Sequence, residues 1–143
     1  MKMNKFLHIV VLAAFFCLPA SAQHTDSLCF SAKFVNQELG VFLKLNPYAQ
    51  DVTIPGQEFY GQLPGYMGCD GSSFCWPVVS AHVSGSKATL IMVNDYGSED
   101  LSAQLSQKND TLFVFTQLKG SQLKVPRKGK WLKLPRVFEL VKH

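Results

Sequence analysis

Catalytic signatures are missing from this sequence. It has no Gly-x-Ser-x-Gly elbow, no glycine-rich phosphate cradle and no His-Glu-x-x-His pair, which removes the commonest hydrolase, nucleotide-binding and zinc-peptidase readings. Charge is sparse at 17% of residues, against 47% hydrophobic, so the chain is too apolar to remain an unfolded tail. Proline and glycine, 7 and 10 of 143 residues, are too few for low complexity. No internal repeat is found, and no window carries a helical period. No apolar run reaches the roughly 20 residues that a membrane-spanning helix needs.

What is present begins at the N-terminus. Lys2 and Lys5 precede an apolar run over 6–18, then Pro19 and the small residues Ala20-Ser21-Ala22. This is the layout of a secretory signal peptide of bacterial form. Cleavage is expected after Ala22, leaving a single domain over 23–143 in the periplasm, at the cell surface or in the medium. The cut removes two of fourteen bases and none of the ten acids, so the formal charge falls from +4 to +2. That remainder is unevenly spread. Residues 23–118 hold four bases against nine acids, whereas 119–142 hold eight bases against Glu139 alone.

Three cysteines then remain, Cys29, Cys69 and Cys75. Export permits disulfides, and the turn-forming Asp70-Gly71-Ser72-Ser73 between Cys69 and Cys75 makes those two the expected pair. Cys29 is left as a buried thiol on a strand, and its pairing with either of the others stays open. Cys69, Cys75 and His82 could supply three zinc ligands, but their spacing matches no common site. No metal or cofactor is expected. A thiol nucleophile would have to be Cys29 with His82, which nothing in the sequence places together, so a non-enzymatic protein is expected.

The pattern along 23–143 has a period of two. Strands are predicted over 28–35, 39–45, 78–84, 87–94, 101–106, 111–118, 122–125 and 137–141, joined by tight turns such as Gly85-Ser86 and Lys108-Asn109-Asp110. Eight short strands with short turns predict an all-β antiparallel meander, closing into a small β-barrel or folding as a two-sheet sandwich. The strands over 87–94 and 111–118 are apolar on both faces and need cover on both. That cover is expected from 46–77, which lacks regular pattern and reads as one long loop.

This loop holds four prolines, five of the ten glycines, and six aromatics: Tyr48, Phe59, Tyr60, Tyr66, Phe74 and Trp76. An ordered loop of that length is commonly functional. The six rings are the candidate ligand-binding residues, with a sugar ring, a small apolar ligand or a partner's apolar side chain as occupant. The alternative is a lid that only packs them onto the barrel.

Two charged features follow. Asn94-Asp95-Tyr96-Gly97-Ser98-Glu99-Asp100 reads as a polar hairpin tip with Gly97 at positive φ, calcium binding being the lesser alternative. Lys119, Lys124, Arg127, Lys128, Lys130, Lys133 and Arg136 form a basic C-terminal edge, with Val125-Pro126-Arg127-Lys128-Gly129-Lys130 read as a turn. In an exported protein its partner would be an anionic lipid, polysaccharide or protein rather than nucleic acid; otherwise these lysines discourage edge pairing. Asp26-Ser27-Leu28 and Asp110-Thr111-Leu112 fit a short O-glycosylation pattern of Bacteroides-type bacteria.

Trp76-Pro77, the run Asn94 to Leu101 and Lys130-Trp131-Leu132-Lys133-Leu134-Pro135 resemble the C-terminal half of small secreted proteins of unassigned function from Bacteroides-type gut bacteria. The resemblance spans 76–142 and implies no activity. The strand count is also similar in architecture to the calycins, although their Gly-x-Trp motif is absent, and fold likeness alone assigns no function. The functional expectation is an exported binding module. It would hold a small ligand, a glycan or a protein through 46–77, or meet an envelope partner through 119–142, with homodimerisation open.

Overall fold

A computed structural model describes residues 28–143. The expected signal peptide over 1–22 and its cleavage point lie outside the described residues. The fold is all-β: eight antiparallel strands close a barrel, accompanied by two small two-stranded sheets. In chain order the strands are β1 (Ala32–Asn36), β2 (Val41–Leu45), β3 (Val52–Thr53), β4 (Gln62–Leu63), β5 (Gly65–Cys69), β6 (Ser72–Ser84), β7 (Lys87–Val93), β8 (Asp100–Gln107), β9 (Leu112–Gly120), β10 (Lys124–Arg127), β11 (Lys130–Lys133) and β12 (Val137–Lys142), with a 3-10 turn at Glu58–Tyr60. Around the barrel they run β1-β12-β9-β8-β7-β6-β5-β2. The seam between β1 and β12 is short, pairing Phe34 with Lys142 and Val35 with Val141.

Alternation along each strand supplies the core. Phe34, Leu43, Met67 and Trp76 are successive cross-strand partners on β1, β2, β5 and β6, and all four are wholly buried. Phe113 reaches Phe34 at 4.7 Å between ring centroids, and Phe115 stacks on Phe138 at 4.9 Å. Eight strands enclose about the space that side chains themselves fill. Here those side chains are aromatic and aliphatic, and the interior is a packed core.

The barrel has the expected number of strands but not the expected set. Gly65–Cys69 is a barrel strand, and β6 begins at Ser72 rather than near Val78. The segment 46–77 is therefore not one loop: it contains β3, β4, β5 and the start of β6. Glycine and proline argued against strands there, yet the barrel requires them. A Cβ on Gly65 would lie 2.1 Å from the Lys44 carbonyl oxygen, so only glycine lets β5 approach β2 this closely. Conversely, Lys124–Arg127 leaves the barrel and pairs with Lys130–Lys133 as a separate hairpin. The expected turn at Val125 to Lys130 is confined to Lys128 and Gly129, both at positive φ (51° and 75°), as a tight hairpin demands. Pro126 is tolerated because this hairpin has no third strand.

Two further expectations are corrected. Cys69 and Cys75 are free thiols, not the expected disulfide pair. Gly68, not Cys69, lies opposite Cys75, and Cys69 lies opposite Ser72. Cys69 belongs to the interior cluster with Met67 and Trp76, whereas Cys75 packs outside with Val52, Ile54 and Tyr66. The two thiols thus occupy opposite faces of the sheet, and a bridge would have to pass through it. Nor does 46–77 cover the doubly apolar strands. Its part over 46–64 packs on the outer face of β2, β5 and β6, leaving Ile91 of β7 and Leu118 of β9 exposed.

Candidate functional site

Outward-facing residues of β1, β2, β5 and β6 form two rows. Lys33, Lys44, Tyr66 and Pro77 are cross-strand neighbours in one; Val35, Phe42, Gly68 and Cys75 are neighbours in the other. Phe42 and Tyr66 meet edge to face at 5.7 Å between centroids, 81° apart, the arrangement that aromatic quadrupoles favour. Gly68 makes room for this floor: a Cβ there would stand 2.4 Å from Cζ of Phe42. Lys33 completes it, with Nζ 4.6 Å from the Phe42 ring centroid, within cation–π reach.

The wall is built from the chain that leaves β2. Asn46 holds it by four bonds: its backbone N–H donates to Pro64 O (2.7 Å), its carbonyl accepts from Gln50 N (3.0 Å), its Oδ1 accepts from Ala49 N (3.1 Å), and its Nδ2 donates to Asp51 Oδ1 (3.1 Å). The β3–β4 pair then places Val52 and Ile54 against Tyr66 and Cys75. Between wall and floor lies an open groove of about 730 Å³, lined by Lys33, Phe42, Lys44, Asp51 and Tyr66 among others. A smaller recess of about 240 Å³ continues on the far side of the same two rings, toward Pro55 and Ser73. Burial, and secondarily the neighbouring Cys75, raises the Tyr66 pKa, so its hydroxyl stays a neutral donor and acceptor. Burial pushes the Cys75 thiol to about 12, which makes it a poor nucleophile at neutral pH.

The six aromatic candidates fall in separate places. Tyr66 is the groove floor. Tyr60 packs at the margin of the same outer cluster, and Phe59 lies 4.3 Å from it between centroids but is 79% exposed. Tyr48 is exposed on the connection between β2 and β3. Phe74 and Trp76 belong to the barrel interior. Trp76 is 0% exposed and donates from Nε1 to Lys124 O at 2.8 Å, tying the β10–β11 hairpin to the core. Phe74 supports the exposed rings Trp131 and Tyr96 from below, at 5.0 and 5.9 Å.

The basic edge is divided too. Lys124 pairs with Glu99 at 3.5 Å and lies 5.7 Å from the Trp131 ring centroid. The Arg127 guanidinium donates to Leu39 O; both residues hold structure together. Lys119, Lys128, Lys130, Lys133 and Arg136 are exposed. The acidic turn is organised from within by Asn94, whose Oδ1 accepts from Ser98 N at 2.9 Å, and Gly97 takes a φ of 68°; from outside it, Gln57 Nε2 donates to Asp95. His82 is exposed on β6.

Sequence reasoning passed over Phe42, Lys33 and Lys44. The signal available was Phe42 on the lysine-bearing face of a strand whose other face is Val41, Leu43 and Leu45. No family model, curated protein or solved structure matches this chain.

Proposed function

We propose that the protein is an exported, non-enzymatic binding module whose ligand lies in the groove between Phe42, Tyr66 and the 46–53 wall. One observation carries this reading: two aromatic rings are held edge to face at 5.7 Å on the outside of a barrel whose own interior is full. An outer sheet face normally carries polar residues. Here rings floor a groove of about 730 Å³, within the range of small-molecule sites. Thermal-shift screening of mono- and disaccharides and small ring acids against the native protein and Phe42→Ala tests it. Ligands that stabilise the first but not the second, with unchanged circular dichroism, support the groove. Ligands that stabilise both equally place the site elsewhere.

A second reading uses the β10–β11 hairpin as a contact for an anionic envelope partner. It is favoured by Lys128 in the turn and Lys130 and Lys133 on β11 standing exposed on a hairpin outside the barrel. Binding of that kind weakens steeply as salt shortens the Debye length.

A further inference from the structure

We propose that the groove is selective for an anionic ligand, a ring bearing a carboxylate, held between Lys33 and Lys44. This rests on the groove reading above and adds the charge of what fills it. Lys33 and Lys44 are direct cross-strand partners on β1 and β2. Both side chains are exposed and both line the groove. Like charges directly opposite one another in an antiparallel pair repel and weaken the sheet. Their placement is also uneconomical for charge: residues 23–118 contain only four bases, and two of them face each other here.

Among the described residues no carboxylate forms an ion pair with either lysine. Asp51 lines the same groove, but its Oδ1 accepts from Asn46 Nδ2. The ion pair found among the described residues is Lys124–Glu99, on another part of the barrel. A carboxylate between the two ammonium groups would accept charge-assisted hydrogen bonds from both. The Phe42 ring beneath Lys33, with Tyr66 next to Lys44 in the same row, offers an apolar surface to the ring that carries the carboxylate. A bare inorganic anion would use the lysines and leave that surface empty.

Titration of isotopically labelled protein followed by nuclear magnetic resonance tests this, with glucuronate, its uncharged methyl ester, inorganic phosphate and sodium chloride at matched ionic strength. Glucuronate is expected to give saturable shifts at Lys33, Phe42, Lys44 and Tyr66, at least fivefold tighter than the ester. Phosphate should bind more weakly and shift only the lysines, and Lys44→Gln should bring glucuronate down to the level of the ester. Equal affinity for acid and ester, abolished in Phe42→Ala, would overturn the charge assignment and leave the groove reading standing. Phosphate binding tighter than glucuronate would overturn the ring requirement. Shifts from every probe no different from those of chloride would overturn the proposal outright.

Discussion

Replacing Trp76 with phenylalanine should loosen the β10–β11 hairpin before it loosens the barrel. The indole is wholly buried, and its Nε1 donates to Lys124 O at 2.8 Å. Phenylalanine keeps one ring but removes the donor, leaving a carbonyl without its partner at a cost of about 1–3 kcal/mol. The missing part of the indole leaves a void in the buried cluster that Trp76 shares with Leu123 and the hairpin residue Val125, costing about 1 kcal/mol more. The expected total is about 3 kcal/mol, a large share of the 5–15 kcal/mol typical of a domain, or a fall in Tm of about 10 °C. Urea denaturation followed by circular dichroism measures the sum. The substitution also leaves Trp131 as the sole tryptophan of the chain's two, so its fluorescence reports the hairpin directly. Amides of β10 and β11 should lose hydrogen-exchange protection well before those of β7 and β8. A loss below about 0.5 kcal/mol, the scale of a neutral surface change, or equal loss of protection in both places, would refute the anchoring role of Trp76.

Lys44→Gln relieves the repulsion with Lys33 and should stabilise the free protein by a few tenths of a kcal/mol at low salt. The gain should vanish at about 1 M salt, where the Debye length is roughly 3 Å; a destabilised variant at low salt would contradict it. Gly68→Ala must displace the Phe42 ring and should cost about 1–2 kcal/mol, with part of the loss recovered in the Gly68→Ala/Phe42→Ala double variant, as a mutant cycle would show. Denatured but unreduced protein should titrate thiols at both Cys69 and Cys75; failure of both to react until a reductant is added would show a bridge. Because burial raises the Cys75 pKa from an ordinary 9 to about 12, the unfolded chain loses this proton first. Its contribution to stability is whole below pH 9 and falls away as pH rises toward about 12. Cys75→Ala should flatten that decline in alkaline denaturation curves.

The all-β class, the antiparallel order and most strand positions could be read along the chain because alternation is a local property. In β8, Leu101, Ala103 and Leu105 face the core while Ser102, Gln104 and Ser106 between them face outward, and no distant contact is needed to see it. The tight turns at Gly85 and Gly97 are equally local. The segment 46–77 was opaque for the converse reason. Gly65, Gly68 and Pro77 read as breakers until β2 and Phe42 stand beside them, and then the glycines are what the close approach demands. The same holds for the cysteines. Six positions apart, Cys69 and Cys75 look like partners, and only the pairing of β5 with β6 sends them to opposite faces.

The candidate site divides along the same line. Its aromatic content was visible, but composition cannot say which rings face outward. Burial took Phe74 and Trp76 into the core and left Tyr66 as a floor, joined by Phe42 from a strand 24 residues earlier. By itself the sequence determined a period-two chain with an acidic body and a basic end, and hence an antiparallel all-β fold. Only the tertiary structure decided what meets on the outside of the barrel. Strand register is a relation between distant segments, and it alone sets Lys33 against Lys44 beside two rings.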